Sequence, residues 1–174
     1  MDAPIENSRA RALTVRIATE LDAEAILRVH YAAVHEFGAR SYGKEVLDEW
    51  SSPVNEERIL ALTKAMVENP DGEIWLLAEG QQGILGFGSI VPRKNELRAC
   101  YVAPNNSGLG AGKAILDELE ALARKLKLHK LQMDASVNAE SFYLRNGYRI
   151  NGRGHHLLRS GRKMKCVFMS KILV

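Results

Sequence analysis

Residues 101–113 read Tyr101-Val102-Ala103-Pro104-Asn105-Asn106-Ser107-Gly108-Leu109-Gly110-Ala111-Gly112-Lys113, and the placement of this stretch decides the fold. Upstream, Glu96 to Val102 has the composition of a strand. Downstream, Ile115, Leu116, Leu119, Leu122, Ala123 and Leu126 recur at helical spacing, which assigns Asp117, Glu118, Glu120 and Arg124 to the opposite, solvent face. A glycine-rich turn between strand and helix lets backbone N–H groups approach an anion, and the helix N-terminus adds unpaired donors and its dipole. Phosphate suits such a cradle. Two common nucleotide motifs do not fit: a dinucleotide fingerprint needs glycine where Lys113 stands, and a Walker loop needs glycine at Ser107 and a hydroxyl at Ala114. The competing reading of the same glycines is close packing of the helix against the sheet.

Working outward toward the N-terminus, Glu73 to Glu79 and Ile84 to Val91 read as strands joined through Gly80-Gln81-Gln82-Gly83, and Glu96 to Val102 completes the meander. Asn69-Pro70-Asp71-Gly72 is a turn, since proline presets φ and glycine tolerates positive φ. Residues 43–68 form one or two helices, broken at Ser51-Ser52-Pro53. Before them, Thr14 to Ile17 is a short strand, Thr19 and Asp22 resemble a capping box, and Ile26, Val29, His30, Ala33, Val34 and Phe37 trace a helix that ends near Gly38. Toward the C-terminus come a strand over Lys130 to Ser136, a short helix from Asn138 to Asn146 stopped by Gly147, and strand segments around Tyr148–Ile150 and Lys163–Ser170. A meander followed by α/β crossovers predicts the α+β class, one sheet with helices on both faces. Residues 1–12 read as a flexible leader and 13–174 as one domain.

Composition agrees with a single globular unit. The 174 residues are 46% hydrophobic and 26% charged, which excludes collagen-like, disordered and disulfide-scaffold classes. The net charge of +3 hides a split: up to Glu140 there are 16 Lys/Arg against 21 Asp/Glu, and residues 141–174 hold eight basic residues and no acid. Cys100 and Cys166 are read as reduced, partly buried thiols. No apolar run approaches the ~20 residues that span a bilayer, and residues 1–12 lack a signal-like apolar core, so a cytoplasmic protein without membrane contact is expected. His155 and His156 are adjacent and point to opposite faces if extended, so they do not chelate one metal, and no metal site is expected.

A second motif carries the assignment further. Met133-Asp134-Ala135-Ser136-Val137-Asn138-Ala139-Glu140-Ser141-Phe142-Tyr143-Leu144-Arg145-Asn146-Gly147-Tyr148 follows the first by about 30 residues. Together the two stretches resemble the GNAT superfamily of acyl-CoA-dependent N-acyltransferases. Its signature is a strand, Val-x-Pro and then Q/R-x-x-G-x-G/A opening a helix, followed by a strand and Asn-Ala-x-x-Phe-Tyr-x-x-x-Gly-Phe/Tyr. Ser107 departs from the usual Gln or Arg, at the expected loss of one side-chain contact to the coenzyme. The resemblance extends over residues 14–172 and is least diagnostic in 38–70. It implies a single-domain GNAT-like fold, with a mixed, mostly antiparallel central sheet, and an acetyl-CoA-dependent N-acetyltransferase working by direct transfer in a ternary complex.

The resemblance also implies roles. Cys100, Tyr101 and Val102 end a splayed strand that offers backbone groups to the pantetheine arm and an N–H to the acetyl oxygen, a contact worth a few kcal/mol in a dry site. Ser107, Gly108, Leu109, Gly110, Ala111, Gly112 and Lys113 hold the pyrophosphate. Asn138 hydrogen-bonds the pantetheine or an ordered water, and Phe142 packs beside it. Tyr143 matches the general acid that serves the departing thiolate. An amine of pKa ~10 is mostly protonated at neutral pH and must lose a proton. Glu96 lies 11 residues before Ser107, where some histone-acetylating relatives carry a glutamate base, and is the candidate here. His30 and His35 are further candidates to line an acceptor groove.

The basic segment admits a competing class, a nucleic-acid-binding protein, although no interleaved aromatics or nucleic-acid motif accompany it. A non-catalytic acyl-CoA sensor is the other alternative. The acceptor's identity and the choice between monomer and homodimer are left open by the sequence.

Overall fold

The computed structural model describes residues 13–173; the leader assigned to residues 1–12 lies outside the described residues. Among the described residues seven strands form one sheet: β1 (Thr14–Ile17), β2 (Ile74–Gly80), β3 (Gly83–Val91), β4 (Glu96–Val102), β5 (Lys130–Ser136), β6 (Arg149–Leu157) and β7 (Lys163–Ile172). Their order is β1-β2-β3-β4-β5-β7-β6, and every neighbouring pair is antiparallel except β4 with β5. The helices are α1 (Ala23–Phe37), α2 (Lys44–Trp50), α3 (Glu56–Glu68), α4 (Ala111–Lys125) and α5 (Glu140–Arg145).

The apolar stripe of α4, with Ile115, Leu116, Leu119 and Ala123 fully buried, covers one face of the sheet together with Tyr143 from α5. On the other face, Ile26 and Val29 of α1 pack on Leu77, Phe87 and Ala99, with Leu62 and Met66 of α3 behind them. The local signals explain these boundaries. Asp22 accepts a hydrogen bond from Thr19 N–H at 2.8 Å before α1, and Asn55 Oδ1 accepts from Arg58 N–H at 2.9 Å at the start of α3. Asn69 closes α3 in the left-handed conformation.

Two departures from the sequence reading have physical causes. Glu120, assigned to the solvent face of α4, is 4% exposed. Lys171 Nζ donates to both of its oxygens at 2.7 and 2.8 Å, and also to Asn146 O, so a charge partner from β7 takes the place of water. The strand near Tyr148 runs on to Leu157, because backbone pairing with β7 carries it through Gly152 and Gly154, which give no side-chain alternation to read.

Two irregularities prepare the site. Ser89 lies opposite Ala99 while Ile90 lies opposite Leu97, so Arg98 is an extra, bulged residue in β4. The parallel strands β4 and β5 share only the pair Glu96 and Gln132, with Gln132 N–H donating to Asn95 O at 2.8 Å. Past that pair they share no further ladder, and a wedge opens between them. Among the described residues no helix is long and apolar enough to cross a membrane.

Candidate active site

The wedge between β4 and β5 is a cavity of about 40 Å³, lined by Leu97 to Tyr101, by Met133 to Ser136, and by Ala139 and Tyr143. It lies between two larger cavities. The first, about 660 Å³, is lined by Cys100, Tyr101, Val102, Ser107, Gly112, Asn138 and Phe142, with Ala33, Val34, Phe37 and Arg40 opposite them. The second, about 770 Å³, is lined by Glu96, Arg98, Asp134, His156 and Phe168 among others. Trp50, Tyr101 and Ser136 border both.

At the mouth of the first cavity the glycine-rich turn separates two explanations. A side chain at Gly108 or Gly110 would meet nothing within 4 Å, but their φ values are +80° and +83°. Backbone conformation, and not helix packing, therefore requires them. Gly110 is the N-cap of α4 and no side chain caps that end, which leaves the first N–H groups of the helix available to an anion. Gly112 does serve packing: a Cβ there would lie 3.2 Å from Val102 and 3.5 Å from the Phe142 ring.

Seven of the residues singled out from the sequence are thus gathered around the first cavity. Five others in the turn are not: Gly108, Leu109, Gly110, Ala111 and Lys113. Leu109 is half exposed and borders a separate cavity with Leu13 and Leu85, and the Ala111 methyl is buried in the core. Lys113 is ion-paired with Asp117 one turn on, and Gly108 has no side chain to contribute. What these residues can offer an anion is their backbone N–H groups.

Tyr143 is buried at the wedge, and burial holds its phenol well above the ordinary value, so it carries its proton throughout the physiological range. Cys100, whose Sγ faces Gly112 O at 3.7 Å, is pushed up to about 12 by burial and is a thiol, not a nucleophile. Glu96 lines the second cavity, where both its oxygens are held by Arg98 at 3.1 and 2.9 Å. Arg98 also reaches Asp71 at 3.1 Å and Glu73 at 3.0 Å.

His30 and His35 do not line the second cavity. His30 Nδ1 is 2.9 Å from Ser51 Oγ and His35 Nε2 is 2.8 Å from Ser51 O, so both tie α1 to the end of α2. Burial pushes His30 down to about 4, and it is neutral at pH 7. His156, in contrast, faces the second cavity, with Nδ1 3.1 Å from Asp134 Oδ2.

Trp50, Arg98, Asp134, Ser136 and His156 had not been singled out as site residues. Part of the signal was present, since Leu131, Met133 and Ala135 are buried on one face of β5, which puts Gln132, Asp134 and Ser136 on the other. Tyr42 is a further positioning residue. Its hydroxyl accepts from Val137 N–H at 2.7 Å and donates to Lys165 O at 2.8 Å, holding the segment before α2 against β5 and β7. The charge split also has a structural meaning: Arg153 pairs with Glu140, Arg162 with Glu45 and Glu49, and Lys171 with Glu120.

Comparison with known proteins agrees with this architecture. The acetyltransferase (GNAT) domain model matches residues 38–160, and the chain belongs to that family. It is similar to the solved structure of a GCN5-related N-acetyltransferase from Rhodopseudomonas palustris, at 27% identity and a TM-score of 0.80, over 92% of this chain and 95% of that one. A ribosomal-protein-alanine N-acetyltransferase from Brucella melitensis matches at 30% identity and a TM-score of 0.65, over 92% and 99%. The PaiA N-acetyltransferase of Thermoplasma acidophilum, solved with coenzyme A, shares the fold at 20% identity and a TM-score of 0.69, over 92% and 99%. A comparison with curated protein sequences gave no match.

Proposed function

We propose that the protein moves the acetyl group of acetyl-CoA to a primary amine by direct attack in a ternary complex. The observation that carries this reading is the wedge at Tyr143, which lies between a donor-sized cavity and a second, open one. The uncapped N-terminus of α4 and the positive-φ glycines suit a pyrophosphate, and coenzyme A in the T. acidophilum relative supports the choice of donor.

In this reading the backbone of Gly108 to Lys113 holds the pyrophosphate, and Val102, Asn138 and Phe142 flank the pantetheine arm. The backbone of β4 around Cys100 and Tyr101, unpaired along the wedge, supplies the donor to the acetyl oxygen. Tyr143 gives a proton to the departing sulfur. Glu96 and Asp134 present carboxylates to the second cavity, which an ammonium can approach.

The test is release of free thiol from acetyl-CoA in the presence of a panel of primary amines. Amine-dependent thiol release with an acetylated product is expected. Coenzyme binding without turnover of any amine identifies a non-catalytic acyl-CoA-binding module instead, and salt-dependent retardation of DNA or RNA identifies a nucleic-acid-binding protein.

A further inference from the structure

We infer that His156 is the residue that takes the proton from the incoming amine, with Asp134 as its positioning partner; this rests on the acetyl-transfer reading above. The pair is assembled from strands that are not neighbours, since β7 lies between β5 and β6. Across it, His156 Nδ1 and Asp134 Oδ2 are 3.1 Å apart. The carboxylate fixes the tautomer that carries the proton on Nδ1, which leaves the Nε2 lone pair as the base. Nε2 has no hydrogen-bond partner among the described residues.

Position favours the pair. Asp134 borders both the wedge and the second cavity, and His156 borders the second cavity, so an amine entering there passes the imidazole on its way to the wedge. The Phe168 ring, which also borders this cavity, lies against Gly154, where a Cβ would be 2.7 Å from two ring carbons. Both members are about half exposed, at 50% and 45%, so a protonated His156 returns its proton to solvent.

The other carboxylate at this cavity is less free. Both oxygens of Glu96 already accept from the Arg98 guanidinium, so that donor stands in the place an amine proton would take.

The step balances. An ammonium R-NH3+ gives one proton to Nε2, forming imidazolium and R-NH2. The amine nitrogen bonds to the thioester carbonyl carbon, the carbon–sulfur bond breaks with its electron pair going to sulfur, and the second nitrogen proton makes good the proton that sulfur receives. The imidazolium then loses its proton to water, so the products are amide, free thiol and H+.

The charged groups that share the cavity with His156 are Lys94, Glu96 and Arg98 from β4 and the turn before it, and Asp134 from β5. β7 contributes Met164, Phe168 and Met169, and α2 contributes Trp50. Glu49 of α2 and Arg162 of the β6–β7 turn are paired with each other.

The test uses the full chain with acetyl-CoA and three probe amines: spermidine, tryptamine and a peptide with N-terminal alanine. With an amine that turns over, His156→Gln is expected to lower kcat at pH 7 about 100-fold with KM for acetyl-CoA unchanged, and the loss should shrink at high pH where the amine is already neutral. Asp134→Asn should lower kcat about tenfold with KM for acetyl-CoA unchanged. The imidazole nitrogen shifts of His156 in the free protein, followed by NMR, should report the tautomer with its proton on Nδ1 in the wild type and a mixture of tautomers in Asp134→Asn. His155→Gln, on the opposite face of β6, should match the wild type. Unchanged kcat and pH profile in His156→Gln overturns the inference, as does loss of the acidic inflection of the pH–rate profile in Glu96→Gln. A wild-type protein inert toward all three amines overturns the transfer reading itself, which is a different result from an active wild type with an equally active His156→Gln.

Discussion

Trp50 stands edge to face with Tyr101, ring centres 6.3 Å apart, and both residues border the first and the second cavity at once. Trp50 also meets the rings of Tyr42 at 5.7 Å and His30 at 6.2 Å. The partition between the two cavities is therefore built from an aromatic cluster that joins the α1-side core at Tyr101. Trp50→Leu is expected to cost about 2 kcal/mol of stability and to raise KM for both substrates several-fold. Urea denaturation and steady-state kinetics check this together; destabilisation with both KM values unchanged limits Trp50 to packing.

Tyr143→Phe separates chemistry from structure. The substitution keeps the ring and its edge contacts with Phe142 and Tyr148, so stability should hold. A thiolate of pKa near 8.5 leaves tolerably without help. The expected result is a kcat lower by about tenfold with KM for acetyl-CoA unchanged, and an unchanged kcat dismisses the acid role.

Gly110→Ala isolates backbone strain. Nothing lies within 4 Å of the added methyl, so the whole cost comes from φ of +83°, about 1–2 kcal/mol. If the strain is relieved by rotating the N-cap peptide, acetyl-CoA affinity should fall about tenfold, which calorimetric titration measures. An unchanged affinity shows that the cradle does not hold the pyrophosphate.

Lys171→Met leaves Glu120 buried without its main partner, since Arg124 Nη2 is 3.4 Å away. Stripping one member from such a pair should cost about 3 kcal/mol in urea denaturation. Adding Glu120→Leu should recover most of it, because the cost lies in the uncompensated charge.

His30 sets an acid limit on stability. Its folded pKa of about 4 lies below the ordinary 6.5, so the unfolded chain binds more protons between those values. The contribution is complete above pH 6.5 and is lost as pH falls toward 4, up to about 3 kcal/mol at this degree of burial. His30→Gln should flatten that limb of the stability–pH curve; a curve identical to wild type refutes the assignment.

Most elements were legible because their signals are local. The 3.6-residue repeat of α4, the Asn69-Pro70-Asp71-Gly72 turn and the break at Pro53 each act within a few residues, and the strands and helices stand where those signals place them. Glu120 was misplaced for the complementary reason: its burial depends on Lys171, 51 residues away. β6 was read short because glycines at 152 and 154 carry no alternation, while its length is set by pairing with β7.

The candidate site divides in the same way. The family, the α+β class and the tight glycine-rich turn before α4 are all legible in the amino-acid sequence, the last because it is one continuous stretch whose backbone geometry is written in Gly108 and Gly110. The sequence also marked Tyr143, which follows its motif at fixed spacing. The tertiary structure alone decided which side chains meet across strands: Glu96 with Arg98 at a bulge, Trp50 with Tyr101, and Asp134 with His156 over an intervening strand. Such contacts depend on register and sheet order, and a single-residue shift of register moves every side chain to the other face. No local pattern of residues encodes that choice, which follows from burying the two cores on either side of one sheet.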